Sequence, residues 1–151
     1  DVPKLAEASI ERLKGTQLPE AALENPIDVV ATAGGPHFRG ALDVLIDEEG
    51  VDSIFINFVT APFTDTHEVA RQIVDASRGG RKPVVCNFMT DLTQERYRIT
   101  MGILKEGGIP FYATPTAAAR ALGALVRYGR RLRPRVSRGN KLPGSGSYSL
   151  P

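Results

Sequence analysis

Apolar residues fall into two rhythms along this 151-residue chain. Four short runs are nearly continuous in Val, Ile and Phe or lie between turn residues: IDVVAT, DSIFINFVT, PVVCNFMT and PFYAT. The first three have the composition of strands buried on both faces, and the short fourth predicts a strand near a sheet edge. Between them the spacing changes to that of a helix. Phe38, Ala41, Leu42 and Leu45 recur at i, i+3, i+4 and i+7, and Val69, Ala70, Ile73 and Ala76 repeat the pattern. Tyr97, Met101 and Leu104 mark a third helical face, with Gly107-Gly108 offering a left-handed stop. Ala117, Ala121, Ala124, Leu125 and Tyr128 form a long narrow stripe that predicts a fourth helix packed closely on a sheet. A further helix, with Leu5, Ala8, Ile10 and Leu13 as its apolar positions, is expected before the first strand.

Strands alternating with helices at this spacing require right-handed crossovers and a parallel sheet, so the fold class is α/β. Each predicted strand ends in a threonine (Thr32, Thr60, Thr90, Thr114), and a helix is expected within a few residues of each. Four helix N-termini would then share the carboxyl edge of one sheet, where open α/β sheets bind ligands. Free amides and the helix dipole favour anions there.

The four turns differ in charge. Asp65 and Asp91 stand where the second and third crossover helices should begin, with Glu68 and Gln94 three residues on, as N-caps do. A carboxylate at that position repels a phosphate. The turns AGGPHF and YATPTAAAR carry no acid. Gly34 and Gly35 permit close backbone approach and Pro36 is preset for a first helical turn. Gly34 and Gly35 are therefore candidate phosphate-binding residues, although the same residue types serve plain capping. His37 and His67 fall in first helical turns. Neither has a nucleophile or carboxylate at a spacing that would build an acid–base site.

Composition bounds the rest. One domain of this length can bury a core, and 42% hydrophobic content supports one. No apolar run is long enough for a membrane span, and the charged start DVPKLAEASIERLKG has no signal-peptide character. The single Cys86 lies in an apolar run, which suits a reducing compartment and a cytoplasmic protein. Two histidines and one cysteine do not make a zinc site of the usual kind. Seven basic residues and no acid follow from Arg127 onward, so the net +2 divides into +7 there and −5 before it. Such a run suits a solvated helix end more than a surface for nucleic acid or a CoA phosphate. Residues 134–151, rich in Pro, Gly and Ser without periodicity, are expected to be a flexible tail or linker after a domain spanning 1–133. GGPHFRG lacks the glycine spacing of a dinucleotide fingerprint.

The order of LPEAALENPIDVVATAG, FRGALDVLIDEEGVDSIFINFV, GRKPVVCNFM and ILKEGGIPFYATPTAAARALGALVRY resembles the ligase-CoA domain of NDP-forming acyl-CoA synthetases, in the succinyl-CoA synthetase superfamily. The same domain forms the carboxy-terminal part of the succinyl-CoA synthetase β-subunit. The resemblance runs over about residues 5 to 130. Its markers are Asn25-Pro26-Ile27-Asp28, Val51-Asp52-Ser53-Ile54, Lys82-Pro83-Val84 and the block from Gly107-Gly108-Ile109-Pro110 to Pro115.

The resemblance implies a flavodoxin-like three-layer sandwich lacking a strand, since the family domain begins with a strand and a Gly-rich turn that this chain does not show. It implies one domain of an enzyme that joins an acid to CoA at the expense of a nucleoside triphosphate, through an acyl phosphate and a phosphohistidine. CoA, ATP or ADP and Mg would serve the whole enzyme, with none bound by this domain alone. The partners would be CoA-binding, phosphohistidine and ATP-grasp domains, with no nucleic acid or membrane. The residues matching the helix N-terminus that faces the phosphohistidine are Thr60, Ala61, Thr64 and Thr66. This chain has Thr60-Ala61 where the β-subunit has paired glycines, and Val30-Ala31-Thr32 where it has a Gly-rich run. Neither His37 nor His67 matches the phosphorylated histidine. The alternative is a flavodoxin-like interaction or anion-sensing module without turnover. A flavin carrier fits poorly, since the edge turns offer only Phe38 and Phe63 for stacking.

Overall fold

The computed structural model describes residues 2–89 and 93–132. The expectations that rest on Thr90, Asp91 and the segment 134–151 lie outside them. Within them the order is α1 (Glu7–Lys14), α2 (Gly35–Asp47), β1 (Ile54–Val59), α3 (Thr66–Ser77), β2 (Val84–Met89), α4 (Glu95–Glu106), β3 (Phe111–Tyr112) and α5 (Pro115–Leu132). The three strands form one parallel sheet in the order β1-β2-β3. This is an α/β flavodoxin-like arrangement with a reduced sheet.

Both crossovers step in the same direction, so right-handedness puts α3 and α4 on one face. There α2 packs on α3 and α3 on α4. Ile54, Ile56 and Phe58 of β1, with Val84, Cys86 and Phe88 of β2, meet Val69, Ala70, Ile73, Met101 and Leu104 in the main core. Helix α5 packs on all three strands and not comparably on α2, α3 or α4, so it lies on the opposite face. Its fully buried position is Ala118, while Leu125 and Tyr128 are 46% and 60% exposed. The expected stripe through Ala124, Leu125 and Tyr128 is thus rotated away from the sheet. A similar shift affects α1, where Ser9 and Leu13 are buried and Ala8 is exposed.

The run Ile27–Thr32 is not a strand, contrary to the sequence expectation. Its one ladder contact is an isolated antiparallel bridge between Ala22 and Asp28. The Asp28 carboxylate accepts the Val30 N–H at 2.9 Å, and Val30 has φ 61°, in the left-handed region. An Asx-type turn therefore takes the amide that a ladder would need and reverses the chain. Ile27 and Val29 still pack against the core, which accounts for the apolar pattern without a strand.

Helix ends at the amino edge of the sheet are held by long-range contacts. Lys82 Nζ donates to the carbonyls of Leu45, at 2.9 Å, and Glu48, placing a cation at the C-terminus of α2. Glu48 in turn accepts from the Ala6 N–H and the Ser9 hydroxyl at 3.1 and 2.6 Å, capping α1, which has no cap of its own. Asp47 bridges Arg12 and Arg81.

Candidate functional site

The N-termini of α2, α3 and α4 do gather at the carboxyl edge. An aromatic chain fixes α2 there. Phe38, in its first turn, meets Phe58 edge-on at 5.2 Å between centroids, and Phe58 meets Phe88 at 4.9 Å. Phe58 and Phe88 are the penultimate residues of β1 and β2, so the start of α2 lies over the strand ends. The first two turns of α4 are tied to α3 and its preceding turn by three contacts. Thr66 and Thr100 hydroxyls are 2.8 Å apart, His67 Nε2 donates to the Arg96 carbonyl at 2.8 Å, and Arg96 Nη1 donates to the Pro62 carbonyl at 3.0 Å. Helix α5 starts where β3 leaves the same edge, with the Ala117 N–H donating to Thr114 Oγ1 at 3.2 Å.

The residues singled out from sequence take different positions on this rim. Thr60 follows β1 and turns its hydroxyl to the Met89 carbonyl at 3.2 Å. Ala61 closes a turn by accepting the Thr64 N–H at 3.1 Å. Thr64 and Thr66 are buried, and the Thr66 hydroxyl is engaged with Thr100, which itself donates to the Arg96 carbonyl. Asp65 caps α3 as its sequence position suggested. Its carboxylate accepts the Glu68 N–H at 3.0 Å, and the Glu68 and then the His67 amides hold its pKa below the usual carboxylate range.

Gly34 and Gly35 lie at the start of α2, as expected, but that end is not bare. A Cβ built on Gly35 would stand 2.7 Å from Glu68 Cγ and 3.0 Å from its Oε1, so the Glu68 side chain from α3 lies directly against it. The Gly34 N–H donates to His37 Nδ1 at 3.0 Å. His37 is therefore a cap with its proton on Nε2, and His67, donating from Nε2 to a carbonyl, is a tie between helices. Sequence reasoning missed Glu68 at α2, because no local spacing connects positions 35 and 68. It also placed the start of the third crossover helix near Asp91, whereas α4 begins after Gln94.

Charge on this rim is consequently mixed. Four helix starts supply positive ends, while Asp65 and Glu68 bring two carboxylates to those of α2 and α3. Among the described residues no group of three or more His, Cys, Asp or Glu side chains could hold a metal ion. Cys86 is buried in β2, where desolvation pushes its thiol up to about 12, so it stays protonated and inert. No helix among the described residues is long and apolar enough to cross a membrane.

No family model matches the chain. Curated relatives do. It is 30% identical over 134 residues to the alpha subunit of acetate–CoA ligase [ADP-forming] II of Pyrococcus furiosus, covering 85% of this chain and 28% of that one. It is 28% identical over 122 residues to acetate–CoA ligase [ADP-forming] I of Archaeoglobus fulgidus, covering 81% of this chain and 16% of that one. Among solved structures, a protein of Pyrococcus horikoshii OT3 superposes with a TM-score of 0.78 at 28% identity, over 88% of this chain and 31% of that one. The dinucleotide-forming acetyl-coenzyme A synthetase 1 of Ca. Korarchaeum cryptofilum, in complex with phosphate and ADP, superposes with a TM-score of 0.73 at 27% identity, over 84% and 27%. The chain thus spans less than a third of the length of each of these proteins.

Proposed function

As a homologue of one domain of the NDP-forming acyl-CoA synthetases, this chain is, we propose, the part of such an enzyme that presents helix N-termini and a docking surface to a phosphoryl group carried by a neighbouring domain. The whole enzyme would convert an acid, CoA and a nucleoside triphosphate to acyl-CoA, the diphosphate and phosphate. CoA, the nucleotide and the phosphohistidine would be held by CoA-binding, ATP-grasp and phosphohistidine domains. Any Mg would accompany the nucleotide held by those partners.

The observation that carries this reading is the gathering of the α2, α3 and α4 starts over the ends of β1 and β2. Preorganised amides and dipoles stabilise a transferring phosphoryl group without reorganising. The surface would run from Thr60 and Ala61 through Thr64 and Thr66, with Gly34 and Gly35 across the gap. The buried Thr66 hydroxyl contributes by fixing α3 on α4, and the exposed part of the turn does the contacting. Residues 134–151 would link this domain, 1–133, to the next. The inert buried Cys86 suits a reducing cytoplasm.

Asp65 and Glu68 favour a second reading. With Glu95 in the first turn of α4, carboxylates at three of the helix starts oppose a dianion, as expected of a non-catalytic docking or anion-sensing module. One assay separates the two. The isolated chain should form no acyl-CoA from acetate, CoA and ATP, and adding the remaining domains should restore turnover. Activity of the chain alone would refute the division of labour. Full turnover after the Thr60–Thr66 turn is replaced by a Gly-Ser segment would favour the second reading.

A further inference from the structure

We propose that Arg96 is the oxyanion anchor of this rim, its guanidinium binding two oxygens of the phosphoryl group that a neighbouring domain delivers. The proposal rests on the phosphoryl-facing reading above and supplies the cation which that reading lacks. Asp65, Glu68 and Glu95 bring carboxylates to the starts of α3, α2 and α4. Amides and helix dipoles carry only partial charges, so holding a dianion against three acids calls for a full positive charge nearby.

The fold puts that charge beside the turn after β1. Arg96 Nη1 donates to the Pro62 carbonyl at 3.0 Å, inside the turn that the Thr64 N–H and the Ala61 carbonyl close. Its Nη2 donates to the Tyr97 hydroxyl, and its guanidinium carbon stands 4.4 Å from the centre of the Tyr97 ring. Tyr97 is buried, which makes it a firm support. The backbone beneath is fixed as well. The Arg96 carbonyl accepts from His67 Nε2 at 2.8 Å and from the Thr100 hydroxyl at 2.9 Å. A guanidinium held from both ends loses little freedom when a ligand arrives.

Charge and unused donors point to what the ligand is. Arg12, Arg39, Arg78 and Arg81 each stand within 3.0 Å of an aspartate oxygen. Arg96 is half-buried, yet among the described residues no carboxylate pairs with it. A cation drawn out of water normally recovers its lost hydration from an acid. Here the partners are a carbonyl, a phenol and a ring, which leave its charge uncompensated. Its Nε–H is buried without an acceptor, and one N–H on each Nη nitrogen remains unused. Two phosphate oxygens match that pair of donors. The other cations near this rim are placed differently. His67 is committed to the Arg96 carbonyl, Arg39 to Asp43, and Arg71 is exposed further along α3.

Inorganic phosphate is the probe that tests this. Amide resonances of Ala61, Phe63 and Thr64 in 15N-labelled 1–151 are followed as phosphate replaces chloride at constant ionic strength. Saturable shifts are expected, with affinity about 10-fold weaker in Arg96→Gln and about threefold weaker in Arg96→Lys, which keeps the charge and loses the fork. Phosphate should raise the melting temperature of the unaltered chain more than that of Arg96→Gln. A lower melting temperature in Arg96→Gln with unchanged phosphate affinity would overturn the proposal, by making Arg96 a pin for the turn. Should Arg96→Gln not fold, Arg96→Lys decides, and unchanged affinity there would likewise refute the anchor. Tighter binding of CoA or ADP than of phosphate would also refute it, by moving the site to those ligands. The phosphoryl-facing reading is judged separately. If both Arg96 variants keep their affinity but replacing 60–66 by a Gly-Ser segment abolishes it, Arg96 fails and that reading stands. If the unaltered chain shows no saturable shift, both fail.

Discussion

Glu68 in the first turn of α3 lies against Gly35, the first residue of α2, so closely that a Cβ on Gly35 would stand 2.7 Å from Glu68 Cγ. Glycine at the start of α2 is what leaves room for the Glu68 side chain between the two N-termini. Gly35→Ala should therefore push Glu68 aside and cost about 1 kcal/mol, since a flexible side chain can yield. With Glu68→Ala in the background the same change should be nearly neutral or stabilising. A double-mutant cycle by urea denaturation measures the coupling, and additive effects would show that the contact is not restrictive.

Gly107 presents the same geometry against a stiffer neighbour. Its φ of −75° demands no glycine, yet a Cβ would stand 2.3 Å from Val74 Cγ2. A β-branched side chain has little freedom to move. Gly107→Ala should cost about 2–3 kcal/mol, more than Gly35→Ala, and Val74→Ala should rescue part of it. A cost below that of Gly35→Ala would refute the close approach.

Val30 occupies the left-handed region, which a β-branched residue enters only with strain. Val30→Gly should stabilise the protein by about 1 kcal/mol, the relief of strain exceeding the added freedom of the unfolded chain. Thermal or urea unfolding reads this directly. A loss of stability would mean that the Val30 side chain matters more for packing than its backbone costs.

Acid should loosen the α1–α2 junction. The Ser9 hydroxyl and then the Ala6 amide lower the Glu48 pKa, while Arg12 and Arg81 lower that of Asp47. A carboxylate with a depressed folded pKa gives stability that is present above its unfolded pKa and lost as pH falls through the folded value. Stability should thus decline as pH drops below about 4, the ordinary carboxylate range. Glu48→Gln should lower stability at neutral pH and flatten that decline. An unchanged acid profile in the variant would remove Glu48 as a cause.

The threonines of the rim separate structure from contact. Thr66→Val removes a hydroxyl buried against Thr100. It should cost about 1 kcal/mol in stability and leave turnover of the reconstituted synthetase intact. Thr60 is half-buried at the start of the exposed turn. If that turn meets the phosphoryl group, Thr60→Pro should slow turnover more than it lowers the melting temperature. Equal turnover for both variants would count against the turn.

The local rhythm of the chain made most elements legible. IFINFV and VVCNFM became β1 and β2, and the helical spacings at Phe38, Val69 and Tyr97 became α2, α3 and α4, because periodicity and caps depend on residues a few positions apart. Ile27–Thr32 misled for a physical reason. Alternating burial of Ile27 and Val29 against the core imitates a strand, and the Asp28 side chain that captures the Val30 amide leaves no mark in hydropathy. The outward rotation of α5 was equally hidden, since which residues of a helix meet the sheet is set by how the helix docks and not by its own spacing.

Sequence alone determined a parallel α/β chain, the Asp65 cap, and helix starts lying beyond strand ends. Those features follow from side chains acting on their own neighbouring backbone. Tertiary structure alone decided that Glu68 stands at α2, that Thr66 turns to Thr100, that Lys82 closes the far end of α2, and that Phe38 meets Phe58. Each of these joins segments from distant parts of the chain, and only the packing of the helices on the sheet fixes which distant groups meet.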